Sequence, residues 1–271
     1  MSNDIRNRPI GIFDSGIGGL TVLKEILRVL PDENTIYLGD TARVPYGIRS
    51  PETVIRYSFE NTKFLSFKDI KILVVACNTA SSVGLGAVKS RVSIPVVGVI
   101  EPGAKAAVAA TKSKKIGVIG TEATINSSAY ARAIQALDES IEVVGLACPL
   151  FVPLVEEGWT EGHIAAMVAE KYLSGLQNRN IDTVVLGCTH YPLLKNVIAE
   201  EMGAGVRLID SAIEISQEIR IILEKLGMKR DRKSPSFREY YVTDSPERFV
   251  KVGEHFLGQQ IEHIEKIIVG H

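Results

Sequence analysis

Residues 73–81 read LVVACNTAS, and residues 183–192 read TVVLGCTHYP. Each is a run of apolar, largely β-branched residues that ends in a small residue, a cysteine and then small polar residues. A short apolar run closed by polar residues is the pattern of a strand buried on both faces. The chain holds three cysteines, and two of them, Cys77 and Cys188, stand in this one setting.

Working outward, similar short runs occur at residues 10–13, 35–38, 96–100, 116–119, 142–146 and 206–209, with the two cysteine runs supplying strands at 72–76 and 183–187. Between them the periodicity is helical. Leu20, Leu23, Leu27 and Leu30 recur at spacings of three and four, as do Ile164, Val168, Tyr172 and Leu176. Near-continuous apolar strands alternating with helices predict an α/β fold with mostly parallel sheets flanked by helices. Ligands in such sheets bind at the carboxyl ends of strands, which is where Cys77 and Cys188 fall.

The cysteine runs are one of three internal matches. IGIFDS (10–15) is similar to IGVIGT (116–121), and VGVIE (97–101) to VRLID (206–210). Single βα units always look alike, but three matches in one order and at similar offsets predict two similar lobes. The expected division is residues 1–98 plus about 210–271 for the first lobe and 99–209 for the second. Equivalent strand ends would then face each other across a cleft. After Asp210 the pattern gives a long helix through Leu226, a polar segment, a strand near 240–243 and a terminal helix. This tail is expected to complete the first sheet.

Composition narrows the function classes. With 271 residues, 45% apolar, 23% charged and a net charge of -1, the chain reads as a globular protein. Charges of both signs are interspersed, so neither nucleic acid nor a membrane surface is an expected partner. The basic cluster 229–233 reads as a solvated loop. No run reaches the ~18 apolar residues of a membrane helix, and residues 1–9 carry no signal-peptide core, so the cytoplasm is expected. No cysteine pair has metal-ligand spacing, and no metal site is expected. The glycines of GIGG (16–19) lack the spacing of a nucleotide loop.

A cysteine at a strand end, just before a helix, feels the positive end of the helix dipole. That is expected to lower its thiol pKa. Asn78, Thr79, Thr189 and His190 add polar donors suited to a carboxylate. One thiol on each wall, with an anion held between, would move a proton on and off a carbon from opposite faces. The bland reading is that cysteine is a small buried hydrophobe. That suits Cys148, which sits in the apolar run ACPLFVP (147–153), better than the matched pair.

GIFDSGIGGLTV (11–22), GDTARVPYG (39–47), VVACNTAS (74–81), PVVGVIEPG (95–103), IGVIGTEAT (116–124), ACPLFVPLVEEG (147–158) and LGCTHYPLL (186–194) together resemble the signature segments of the glutamate racemase family. That family belongs to the cofactor-independent aspartate/glutamate racemases. The resemblance implies two α/β lobes with the active site between them. It implies interconversion of L- and D-glutamate by two-base proton transfer at Cα, supplying D-glutamate for peptidoglycan, without cofactor or metal. It also implies a homodimer acting on a small-molecule substrate. Cys77 and Cys188 would be the two acid/base residues, Cys77 acting on D-glutamate and Cys188 on L-glutamate. Asp14 would assist Cys77, while His190 and Glu156 would assist Cys188. Asp14, Ser15, Tyr46, Gly47, Asn78, Thr79, Thr121, Thr189 and His190 would contact substrate. Arg43 and Arg49, flanking Tyr46, are natural partners for a side-chain carboxylate.

The residues read alone leave rivals open. Asp14 could simply cap a helix, Tyr46 could serve a turn between Pro45 and Gly47, and Glu156 could be surface charge. Aspartate is a rival substrate. Cys188 with His190 could form a nucleophile and base for hydrolysis, which leaves Cys77 unexplained. A passive two-lobed anion binder is the non-enzymatic alternative. Pyridoxal chemistry needs a lysine, and none stands at these strand ends.

Overall fold

The computed structural model describes residues 4–177, 179–231 and 235–270. Of the basic cluster 229–233, Arg232 and Lys233 lie outside the described residues. Ten strands form among those described: β1 (Ile10–Asp14), β2 (Thr35–Gly39), β3 (Ile72–Val75), β4 (Val96–Gly98), β5 (Lys115–Gly120), β6 (Glu142–Ala147), β7 (Thr183–Gly187), β8 (Arg207–Asp210), β9 (Arg238–Val242) and β10 (Ile264–Lys266). They assemble into two sheets, ordered β10-β9-β2-β1-β3-β4 and β6-β5-β7-β8. Every pairing is parallel. Helices cover both faces, so the central strands β1, β3 and β7 are buried along their whole length.

The two sheets share a four-strand order. β2-β1-β3-β4 in the first corresponds to β6-β5-β7-β8 in the second. The internal matches in sequence fall on three of these equivalences: β1 with β5, β3 with β7, and β4 with β8. The correspondence of β2 with β6 carries no such match.

Helix Leu20–Val29 buries Leu20, Val22, Leu23, Ile26 and Leu27, each worth roughly 1.5–3 kcal/mol of burial. It packs on helix Ser211–Lys225, which also packs on helix Ile100–Ala110. Ser211–Lys225 therefore joins the helical layers of both sheets. Asp210 starts it by accepting from the Ala212 N–H at 2.9 Å, an N-terminal cap.

Three details depart from the sequence expectations. β4 stops at Gly98 because Ile100 already begins a helix, with Pro102 in its first turn. Helix Gly162–Gln177 forms, but the buried stripe is Ala165, Ala169, Leu173 and Leu176, while Ile164 is exposed. The helix packs on helix Lys195–Met202, and Val168 and Tyr172 are partly buried against the core. After helix Pro246–Leu257 the chain adds β10, which pairs with β9. Three residues, two of them charged, give no periodic signal.

Candidate active site

A cavity of about 170 Å³ lies between the two lobes. From the first lobe it is lined by Ser15–Ile17, residues 44–48 and Cys77–Thr79. From the second come Thr121, Glu122, Pro149, Val152, Pro153, Glu156 and Cys188–His190. Cys77 and Cys188 face it from opposite lobes, each about 5% exposed. Both thiols are free.

On the first wall, Cys77 is the N-cap of helix Asn78–Val83, and its Sγ accepts from the Ala80 N–H at 3.5 Å. Sγ also lies 3.5 Å from Ser15 Oγ. The expected depression of this thiol does not occur. Burial, reinforced by the neighbouring Asp14 charge, pushes the Cys77 thiol up to about 12 against those two hydrogen bonds. A single cap N–H does not offset the loss of water around a sulfur anion.

Asp14 sits beneath the turn after β1 and does not line the cavity. Its Oδ2 accepts from Gly16 N at 2.9 Å, and its Oδ1 is buried without a hydrogen-bond partner. Burial raises its pKa, opposed by the nearby His190 charge and by backbone N–H groups of the turn. Close packing explains two glycines here. A Cβ on Gly19 would stand 2.5 Å from Asp14 Cβ, and one on Gly18 would stand 2.3 Å from Thr189 Oγ1 and 2.5 Å from His190 Nδ1.

On the second wall, Cys188 Sγ lies 3.8 Å from His190 Nδ1, and His190 Nε2 lies 3.1 Å from Glu156 Oε1. Arg248 reaches Glu156 Oε2 at 3.4 Å. The His190 ring stands edge-on to Phe256 at 5.3 Å. Burial alone would lower the His190 pKa, but the hydrogen bonds to Cys188 and Glu156 outweigh it and raise it to about 10. The bond from His190 in turn lowers Glu156. Cys188 leads into the 3₁₀ turn Tyr191–Leu194 rather than an α-helix start.

Contacts cross the cleft on both sides. Thr21 Oγ1 donates to the Thr189 carbonyl at 2.9 Å. The hydroxyls of Thr79 and Thr121 meet at 2.9 Å. Tyr130 Oη donates to Asn78 Oδ1 at 2.7 Å.

Two expected residues are turned to other work. Tyr46 lines the cavity, but its hydroxyl is bound to the Asp40 carboxylate and accepts from Asn61 Nδ2 at 3.1 Å. Gly47 packs against Thr121, where a Cβ would come within 2.7 Å. Arg43 pairs with Asp40 and Glu60 and stacks over Tyr57 at 4.1 Å, and Arg49 is exposed. Neither lines the cavity, and no lysine or arginine is among its lining residues. Among the described residues, no group of three or more His, Cys, Asp or Glu side chains is placed to hold a metal.

Sequence reasoning missed the apolar part of the wall. Helix Phe151–Glu156 turns Val152, Pro153 and Glu156 to the cavity and buries Phe151, Leu154 and Val155. The spacing 152, 153, 156 is one helical face, a signal present in the sequence. Tyr130 had no local signal, because its partner is on the other lobe.

The family model for Asp/Glu/Hydantoin racemases matches residues 10–218. The chain belongs to that family. Among curated members, a glutamate racemase of Geobacter metallireducens is 56% identical over 260 residues, 96% of each chain. The crystal structure of the Francisella tularensis glutamate racemase in complex with D-glutamate superposes with a TM-score of 0.92 at 41% identity, covering 97% of this chain and 98% of that one. The Bacillus anthracis glutamate racemase isoform RacE1 gives a TM-score of 0.93 at 42% identity over the same shares. These racemases share the two-lobed α/β architecture.

Proposed function

We propose that this chain interconverts L- and D-glutamate by proton transfer at Cα, with Cys77 serving one face of the carbon and Cys188 the other. The observation that carries the reading is one thiol on each wall of a single small cavity, at equivalent strand ends of two matched sheets. One sulfur takes the α-proton, breaking C–H and forming S–H, and leaves the electron pair on carbon. The opposite thiol then gives its proton to the other face. No electrons leave the substrate, and the reading needs no organic cofactor.

The walls support different tasks. The raised pKa of Cys77 suits a resting thiol that donates. Beside Cys188, His190 is held charged by Glu156, ready to stabilise an anionic sulfur. Asp14 acts on Cys77 through its buried charge. With no lysine or arginine lining the cavity, the substrate carboxylates are held mainly by neutral donors: Ser15, Asn78, Thr79, Thr121, Thr189 and the Tyr46–Gly47 backbone. Closing the cleft removes water and strengthens every one of these hydrogen bonds. We assign residues 1–98 and about 210–271 to the first lobe and 99–209 to the second. The same reading makes the protein a cytoplasmic homodimer whose D-glutamate supplies peptidoglycan synthesis.

The chain Cys188–His190–Glu156 also has the order of a nucleophile, base and orienting acid. A hydrolase would accumulate an acyl-enzyme and would have no use for Cys77. The deciding experiment incubates L-glutamate with the purified protein in D₂O, monitored by circular dichroism and proton NMR. Loss of optical rotation with deuterium entering Cα is the expected result, and L-aspartate run in parallel fixes the substrate. An unchanged signal from both amino acids would sink the racemase reading.

A further inference from the structure

Tyr130 is a buried residue that the proton-transfer reading leaves unused. It sits in helix Ala129–Leu137 of the second lobe and is 2% exposed. Two glycines clear the space for its ring. A Cβ on Gly103 would stand 3.2 Å from Tyr130 Cε1, and one on Gly187 would stand 3.3 Å from Cε2. Gly187 ends β7 directly before Cys188. The ring is therefore clamped beside one thiol strand while its hydroxyl reaches the residue after the other thiol, donating to Asn78 Oδ1 at 2.7 Å.

The shape of an amide sets the consequence for Asn78. Oδ1 and Nδ2 are held in one plane, so fixing the acceptor fixes where the donor points. Asn78 lines the cavity, and its Nδ2 is buried without a hydrogen-bond partner. A donor stripped of water and left unpaired is costly unless a ligand completes it. Burial pushes the Tyr130 phenol up, so it remains a proton donor at any working pH. As a donor it favours the amide orientation with Oδ1 toward it, and disfavours the flipped one.

We infer that Tyr130 is a positioning residue: its hydroxyl locks the Asn78 amide with Nδ2 presented to a substrate carboxylate, so that the first lobe's donor is set only while the second lobe is in contact. This rests on the reading that the cavity binds an amino acid through Asn78.

The test is Tyr130→Phe, which keeps the ring between the glycines and removes only the hydroxyl. KM for both glutamate enantiomers should rise about tenfold, with kcat changed less than threefold and melting temperature nearly constant. In an Asn78→Ala background the same substitution should add less than a twofold effect. A space-filling role would give neither the KM split nor this loss of additivity. KM within twofold of wild type, or penalties that multiply in the double variant, would overturn the proposal. Side-chain amide NMR of the ligand-free protein provides a reading independent of turnover. The Asn78 Nδ2 pair, assigned by its disappearance in Asn78→Ala, should move in Tyr130→Phe, and an unmoved pair overturns the lock. A wild-type protein that fails to racemise glutamate would defeat the proposed function, while the amide spectrum still decides the role of Tyr130.

Discussion

β3 and β7 hold the same place in their sheets, each between the first strand of its lobe and the short edge strand, and each delivers a cysteine to the cavity. Beyond that point the walls diverge. Cys77 meets a short α-helix, a serine hydroxyl and a buried carboxyl, and its thiol is pushed up to about 12. Cys188 meets a 3₁₀ turn that brings an imidazole to its sulfur and a glutamate behind that imidazole. The repeated fold fixes where a sulfur stands. The residues packed around it decide whether it holds a proton or faces a positive charge. A reaction that needs an acid on one side and a base on the other gains from this unequal pair.

The largest effect is expected from deleting each sulfur in turn. Cys77→Ser and Cys188→Ser should each lower racemisation by roughly 10³-fold, the order that a positioned proton-transfer group contributes, with far-ultraviolet circular dichroism unchanged. The residual chemistry should differ between walls. Cys77→Ser should still wash deuterium into L-glutamate, and Cys188→Ser into D-glutamate. Equal loss of both exchanges in both variants would break the comparison.

Gly18→Ala comes next. The added methyl meets Thr189 and His190 at well below contact distance, so it pushes the first lobe off the second wall. Turnover should fall roughly 10- to 100-fold, since a displacement near 1 Å carries that cost. A variant with normal kinetics would show that the two walls tolerate separation there.

Glu156→Gln sharpens the contrast by touching one wall only. Its carboxylate helps keep His190 charged, so its loss should slow proton abstraction from L-glutamate about tenfold and move the alkaline limb of that half-reaction to lower pH. Stability should obey the same logic. His190 folds with a pKa of about 10, above the ordinary value near 6.5. Its contribution is therefore complete below about pH 6.5 and lost as pH rises through about 10. Melting temperatures between pH 6 and 10 should decline in the wild type and decline less in the variant.

The smallest effect concerns the first wall. Asp14 raises the Cys77 thiol by its charge, so Asp14→Asn should shift Cys77 alkylation to lower pH, read in a Cys188→Ser background. An unmoved profile would mean that burial alone sets that thiol.

The strands around both thiols were legible because five buried β-branched or apolar residues in a row have few other uses. The halves were legible because β1, β3 and β4 repeat in order in β5, β7 and β8. The direction of the Cys77 shift was not legible. A helix start is visible in sequence, whereas the depth of burial that overrides it depends on Ser15, Asp14 and the opposing lobe. Arg43 illustrates the same limit, since its partners Glu60 and Tyr57 lie well along the chain on helix Pro51–Phe67. Contacts such as Tyr130 with Asn78 join residues with no shared local pattern. On helix Gly162–Gln177 the apolar spacing locates the helix and its buried Leu176, but Ile164 is exposed, and the buried Ala165 and Ala169 carry little hydrophobic signal of their own.

The position of β9 beside β2 also sets a schedule for the ribosome. The second lobe's sheet is drawn from one continuous stretch, β5 to β8, and all its strands are available once Asp210 has emerged. The first sheet is not. Its β1–β4 part must keep an open edge along β2 while the remaining chain is made, and at cellular rates the roughly 140 residues between Gly98 and Arg238 take about 7–30 s. An unpaired parallel edge is a template for wrong partners, so the first lobe, although begun earlier, is finished last and carries the greater exposure to misassembly during synthesis.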